Sequence, residues 1–392
     1  MKRRNLAFVF VALISLASFA SAQEGSTAEP EGSAPPALPP KVIAVIPVGG
    51  SPCCLAVNPL THRIFTLNNI FGSPSITVIN GQTDTTTTIA FHWGSEAPLL
   101  EGPNPAHIAF NPVTRKMYMT NEYANGVIVL DRNTNTFTTV TDPNAAGPIA
   151  LAINTVTNKI YVANNDSNNI TVIDGNTNGT TTVTDPSAVA PFAVAVNPVT
   201  NRIYVPNFTS GNITVIDGTT NATTTVTGFN AVWPFAVAVN PVTNKIYVAN
   251  DHSNNITVID GQTNNTTTVT DPNANSPYAL DINPVTNKIY VVNHFSNNVT
   301  VIDGNTNQTT TVANPNANLL EFIEAITVNS GTNKIYVPNP RSNYVTVIDG
   351  RTNAVTTLAD PRAIGPAAVA VNPATNETYV ANVGSDNVTV IE

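Results

Sequence analysis

The segment at positions 154–191, NTVTNKIYVANNDSNNITVIDGNTNGTTTVTDPSAVAP, recurs almost verbatim along this chain. Its anchor asparagine reappears as Asn58, Asn111, Asn154, Asn197, Asn240, Asn283, Asn329 and Asn372, at spacings of 53, 43, 43, 43, 43, 46 and 43 residues, so there are eight copies. Repeats of this length stack into blades, arrays or solenoids, because one copy cannot bury its apolar faces alone.

Within a copy, apolar residues alternate with small or polar ones at a period of two, which specifies strands. In the fourth copy four runs stand out: strand A (192–196), strand B (202–205), strand C (212–216) and strand D (223–227). The A to B turn carries Pro198 and the C to D turn carries Asp217-Gly218, residues suited to tight reversals. The expected fold is all-β: a propeller of four-stranded antiparallel blades, eight by count, with seven the alternative.

Strand B holds a large aromatic in every copy: Phe65, Tyr118, Tyr161, Tyr204, Tyr247, Tyr290, Tyr336 and Tyr379. A residue type present in all blades serves packing between them. Strand A alternates small and branched residues, as in Ala193-Val194-Ala195-Val196, which suits a crowded centre. The last copy has strands A, B and C but no D before Glu392, while KVIAVIP at 41–47 carries the missing pattern. The N-terminal strand 41–47 is therefore expected to complete the last blade and close the ring, removing exposed edges.

Residues 1–22 read as a secretory signal peptide, with Lys2, Arg3 and Arg4, an apolar stretch and Ala20-Ser21-Ala22 as the cleavage site. Arg3-Arg4 leaves a twin-arginine route open beside the general one. Residues 23–40 form a proline-rich linker, and 41–392 one propeller domain. No later segment is long and apolar enough for a membrane-spanning helix. The chain carries a formal charge of −9, and removal of the leader leaves 13 basic against 25 acidic residues, which argues against nucleic acid as a partner. Charged residues make up only 10% of the chain, so asparagine and threonine must coat its surface.

The run Tyr161-Val162-Ala163-Asn164 followed by Ile170-Thr171-Val172-Ile173-Asp174, and the opening VIAVIPVGGSPCCLAVNP at 42–59, resemble the YVTN family of β-propeller repeats. The resemblance spans 41–392 and implies a propeller fold and an exported life, in the periplasm, secreted, or at the cell surface. It implies little chemistry, since propellers host unrelated functions. The motif's threonine survives only at Thr120, and the best-known members resemble seven-bladed rings.

No HExxH, GxSxG, Walker loop or GxGxxG is present. Asp174-Gly175-Asn176-Thr177-Asn178-Gly179, with Asp185 twelfth, imitates a calcium loop, but the hairpin recurs at Asp260 and Asp303 and reads as a turn. Cys53 and Cys54 are adjacent: either buried thiols or a vicinal disulfide.

The face bearing the A–B and C–D turns is nearly uniform from copy to copy. The opposite face, made by the B–C and D–A loops, diverges, and a unique site needs unique residues. There lie Trp93, in the insertion before blade two, and Trp233, with Phe192, Phe235, Tyr278 and Phe322 around them as an aromatic arc. Such rings suit sugars or apolar ligands, or else cap the gaps between blades. The B–C loops add Glu122, Asp166, Asp251, His252, His294 and Arg341. His252, His294 and Asp251 either ligate a metal or are solvated loop residues; no metal or cofactor is assigned. Asp281 replaces the alanine found in six of the other seven strands A, as a local polar contact or a tunnel ligand.

The expectation is a secreted, non-enzymatic binding or scaffold propeller engaging a protein, glycan or cell-envelope component through the divergent face. The alternatives are an exported lactonase- or lyase-like enzyme and a structural surface-coat subunit. Oligomeric state is not specified by these patterns.

Overall fold

The computed structural model describes residues 39–68, 74–91, 105–227, 230–314 and 325–392. It contains eight separate four-stranded antiparallel sheets arranged as an eight-bladed propeller. Within each of the first seven, chain order equals spatial order; blade one, for example, pairs Pro52–Asn58, Arg63–Asn68, Ser75–Asn80 and Thr86–Ala90 in succession. The eighth sheet joins both ends of the chain. Val42–Pro47 runs antiparallel to Asn387–Ile391, with Val45 opposite Thr389 and Ile46 opposite Val388. The eight-blade count and the closing strand are both as the sequence implies. No helix among the described residues is long and apolar enough to cross a membrane.

The strand B tyrosines are fully buried, and they pack between blades as expected. Tyr161 of blade three, for instance, shares one cluster with Val194, Val196, Ile203 and Val205 of blade four. Burial pushes its phenol up to about 12, with Asp217 adding to the rise.

Polar belts reinforce the apolar layers. On the uniform face, Asn111, Asn154, Asn197, Asn240 and Asn283 each donate their amide NH₂ to an asparagine of the following blade, at 2.7–2.9 Å. The acceptors Asn158, Asn201, Asn244, Asn287 and Asn333 all sit at positive φ, which asparagine tolerates. In parallel, the cation opening strand B reaches the glycine carbonyl in the next C–D turn: Lys116 to Gly175, Lys159 to Gly218, Arg202 to Gly261, Lys245 to Gly304 and Lys288 to Gly350. A Cβ on Gly175 would collide with the Asn158 side chain, so glycine and asparagine are required together at these turns.

A third set of contacts lies in the D–A connections. Asp185 is buried and accepts hydrogen bonds from Thr214 (2.7 Å) and Thr225 (2.9 Å) of the next blade; Asp142 and Asp271 do the same with Thr171 and Thr182, and with Thr300 and Thr311. This use of Asp185 disposes of the calcium loop. Asp174, its supposed partner, accepts from the backbone N–H groups of Thr177 and Asn176, which hold its carboxyl below the usual range. Cys53 and Cys54 are buried with their Sγ atoms 3.0 Å apart, longer than the roughly 2.05 Å of a disulfide bond.

Candidate functional site

Strand A begins with a proline in most blades, and the residue after it falls at a register shift, as between Pro234 and Ala236 and between Pro277 and Ala279. A bulge re-aims the side chain it carries. Blades four, five and six place Phe192, Phe235 and Tyr278 at this position, where Cys53, Ile149 and Ala367 stand elsewhere. The three rings meet in succession across two blade junctions, tilted against one another: Phe192 to Phe235 at 4.5 Å and Phe235 to Tyr278 at 3.9 Å between centroids.

The preceding residue is held at positive φ in these junctions, by Gly147, Ala190, Trp233, Ser276 and Gly365. Its carbonyl is clamped by the first B–C loop residue of the same blade, as Trp233 O is by Asp251 N–H at 3.0 Å and Ser276 O by His294 N–H at 2.8 Å. Trp233 at φ 57° is strained, since a bulky Cβ disfavours that region by about 1–2 kcal/mol. It remains 38% exposed, so burial does not repay the strain. Its ring lies 4.9 Å from Phe208 and 3.5 Å from His252.

The arc extends further than the sequence implied. Phe208 bridges Phe192 (5.3 Å) and Trp233, and Phe295 lies 4.4 Å from His294, which in turn meets Tyr278 edge-on at 5.7 Å. Phe208 and Phe295 were missed, although both occupy B–C loop positions where most copies carry polar residues. Trp93 and Phe322 lie outside the described residues.

Beside the arc sits a polar group. Asp251 accepts a hydrogen bond from Ser276 Oγ on one oxygen, while its other oxygen lies 3.2 Å from His252 Nδ1. The carboxylate therefore stands between hydroxyl and imidazole, an order in which the histidine does not activate the serine. His252 is exposed, with Nδ1 facing Asp251. His294 is 2% exposed; burial lowers its pKa, and the charge of Asp251 opposes that shift. Among the described residues no three His, Cys, Asp or Glu side chains converge as a metal ion requires, so the metal alternative for Asp251, His252 and His294 has no geometric support. Glu122 lies away from the arc, its pKa raised by burial and secondarily by Asp166. Arg341 is exposed in the blade-seven loop and joins neither group.

Asp281 proves to be a local contact. Its carboxylate accepts the N–H of Ile282 and, across the junction, that of Val328 in blade seven, both at 2.8 Å. Burial pushes its pKa up to about 7 against the pull of those two donors. His107, on strand A of blade two, is buried, and that burial pushes its pKa down to about 4.

Comparison with known proteins agrees with the architecture. The family described as "Lactonase, 7-bladed beta-propeller" matches residues 84–224. No curated protein matches the chain. Among solved structures, Kuenenia stuttgartiensis hydrazine synthase superposes with a TM-score of 0.58 at 18% identity, covering 76% of this chain and 98% of that one. A streptogramin B lyase does so at 0.55 and 16%, covering 71% and 89%. These likenesses establish a propeller. The lactonase match covers little more than a third of the chain and ends before Trp233, Asp251, His252 and His294, so it leaves most of the arc and the whole polar group outside. The YVTN resemblance remains an expectation of the repeat sequence.

Proposed function

We propose that this chain is an exported β-propeller that binds a partner through the aromatic arc of blades four to six, with a glycan favoured over a protein or other cell-envelope component. The observation that carries this reading is Trp233: a large, partly exposed ring kept at a positive φ where the other described junctions carry only small residues, glycine, alanine or serine. A residue that costs stability at its own position and stacks on the neighbouring rings is retained for what it touches. Stacked rings beside amide and carboxylate groups offer a sugar both its apolar face and its hydroxyl partners. The leader-like residues 1–22 support export.

A catalytic reading rests on the Asp251–His252 pair, in which the carboxylate orients Nδ1 and leaves Nε2 available as a general base for a lactone or similar ester.

One experiment addresses both. Melting of residues 23–392 is followed against polysaccharides, envelope fragments and lactones, with turnover of the lactones assayed in parallel. Trp233→Gly relieves the backbone strain and is expected to raise the intrinsic melting temperature by about 1–2 °C while weakening binding at least about tenfold. Partners that bind Trp233→Gly and Phe235→Ala as tightly as the wild type would remove the arc from the site. Lactone turnover abolished by His252→Ala would establish the catalytic reading in place of simple binding.

A further inference from the structure

The polar belts of the uniform face are replaced at the junction between blades one and two. Where later blades have the acceptor asparagine, blade two has Arg115; where they have the turn glycine, it has Arg132. The cation opening strand B of blade one is Arg63, which here faces another arginine in place of a glycine carbonyl partner. Phe65 stands in the row otherwise made of tyrosines, and Phe110 in a row of valines and isoleucines. Residues spread from 65 to 132 thus change together at one place.

The two turn changes complement each other. A side chain at the glycine position collides with the asparagine amide, and with its backbone carbonyl, in the other blades; at this junction Arg115 takes away the amide where Arg132 adds the side chain. Arg115 keeps the positive φ (60°) of the asparagines it replaces, a conformation that arginine adopts only at a cost. The result is an open cavity of about 270 Å³ lined by Asn58, Arg63, Phe65, Phe110, Arg115 and Arg132, with Thr61 at its edge. Phe65 and Phe110 stack at 5.2 Å, and the Arg132 guanidinium lies 5.8 Å from the Phe65 ring centre. Burial, then the charges of Arg63 and Arg115, lower the proton affinity of Arg132, as expected for three guanidinium groups crowded together. Among the described residues none of the three forms an ion pair, and the adjacent Asp131 accepts the N–H of Asn133. The Arg132 side chain donates to Asn135 Oδ1 at 2.6 Å.

We infer that this cavity binds a small organic anion with at least two ionised oxygens, a dicarboxylate or a phosphomonoester, whose apolar body rests on Phe65 and Phe110. Guanidinium forks match carboxylate and phosphate oxygens two at a time, and arginine also stacks on aromatic faces. The volume exceeds what inorganic phosphate fills and suits a single small ring. This site lies on the opposite face from the aromatic arc and is independent of it.

The test is calorimetric titration and melting of residues 23–392 with phenyl phosphate and benzene-1,2-dicarboxylate, against sodium chloride at equal ionic strength. The wild type is expected to bind one equivalent of at least one probe, with a saturable rise in melting temperature of about 3 °C at a hundredfold excess over Kd. The double variant Arg115→Asn, Arg132→Gly restores the residues of the other blades, so it should fold and lose at least about tenfold in affinity. Arg63→Gln, which alters neither turn, should lose affinity as well, and Trp233→Gly should leave it unchanged. No saturable heat with either probe up to about 10 mM, or equal binding by the double variant, would overturn the assignment.

Discussion

Removal of residues 1–47 is expected to lower the melting temperature by about 5–10 °C and to make the opened ring associate in a concentration-dependent way beyond the state of the closed one. The deleted strand, Val42–Pro47, pairs along its length with Asn387–Ile391, and its Ile46 is buried in the cluster shared by blades eight, one and two. Each net backbone hydrogen bond is worth about 0.5–1.5 kcal/mol and the isoleucine about 1.5–3 kcal/mol, for a loss on the order of 5 kcal/mol. That is a large fraction of the roughly 5–15 kcal/mol that holds a typical domain together. The Lys41–Glu392 ion pair at the same seam contributes little, because both side chains are about two-thirds exposed. The loss also strips one side of Asn387–Ile391, a strand buried at every position, and an apolar unpaired edge templates pairing with another chain. Residues 48–392 should therefore elute larger than 39–392 at raised concentration, and a peptide of residues 39–47 added in trans should restore both size and melting temperature. A truncated chain that elutes as the longer one does and melts within about 1 °C of it would show that the ring does not depend on its closing strand.

The dependence on one short strand was legible in the sequence because the repeat itself announced what was missing: eight copies of strands A to C and only seven of strand D. Period-two alternation and the proline and aspartate-glycine turns likewise placed nearly every strand. Strand A is short in two blades, Thr327–Asn329 in blade seven and Ala195–Asn197 in blade four, the latter joined by a lone bridge from Pro191 to Asn207. The site was legible in part. Phe192, Phe235 and Tyr278 occupy matching positions in consecutive copies, so comparing copies found them, and the ring of blades brings them within stacking distance. Phe208 and Phe295 answer to the same comparison but sit in loops that looked like polar turns. The buried aspartates 142, 185 and 271 escaped, because Thr-Asp-Pro reads as turn chemistry and only the neighbouring blade supplies the threonines that explain it.

The arginine cavity shows a different limit. Arg63 resembles the cation that opens strand B in seven of the eight blades, and Arg115 and Arg132 resemble ordinary turn residues, so each alone is unremarked. Their meaning arises from the junction, where positions 17 to 69 residues apart face one another. The uniform face barely varies in sequence over most of its length, but one junction of it departs from the others at four positions at once, 65, 110, 115 and 132.

The stability of this protein is expected to fall as pH rises from about 4 to about 7 because of Asp281 alone, opposite to the usual behaviour of a carboxylate that gains a cationic partner. Burial raises its folded pKa to about 7, from the 3.8 of an ordinary aspartate, against the pull of the Val328 and Ile282 N–H groups. Between those values the native state holds a proton that the unfolded chain has released, so the contribution is fully present below about pH 4, declines across the window and is constant above it. The span corresponds to roughly 4 kcal/mol, or about 5 °C in melting temperature. Other carboxylates titrate in the same range, so the informative quantity is the difference between wild type and Asp281→Ala, which installs the residue found in six sister strands. The variant should be the less stable at pH 4, where it lacks an acceptor for Val328 N–H, and should equal or exceed the wild type at pH 8, where it is spared a buried charge. Melting curves of the two proteins at intervals between pH 4 and 8 provide the check. Parallel curves across that range would mean that water in the centre of the ring solvates Asp281 well enough to keep its pKa low, and that the carboxylate serves the junction as a plain acceptor of two backbone hydrogen bonds.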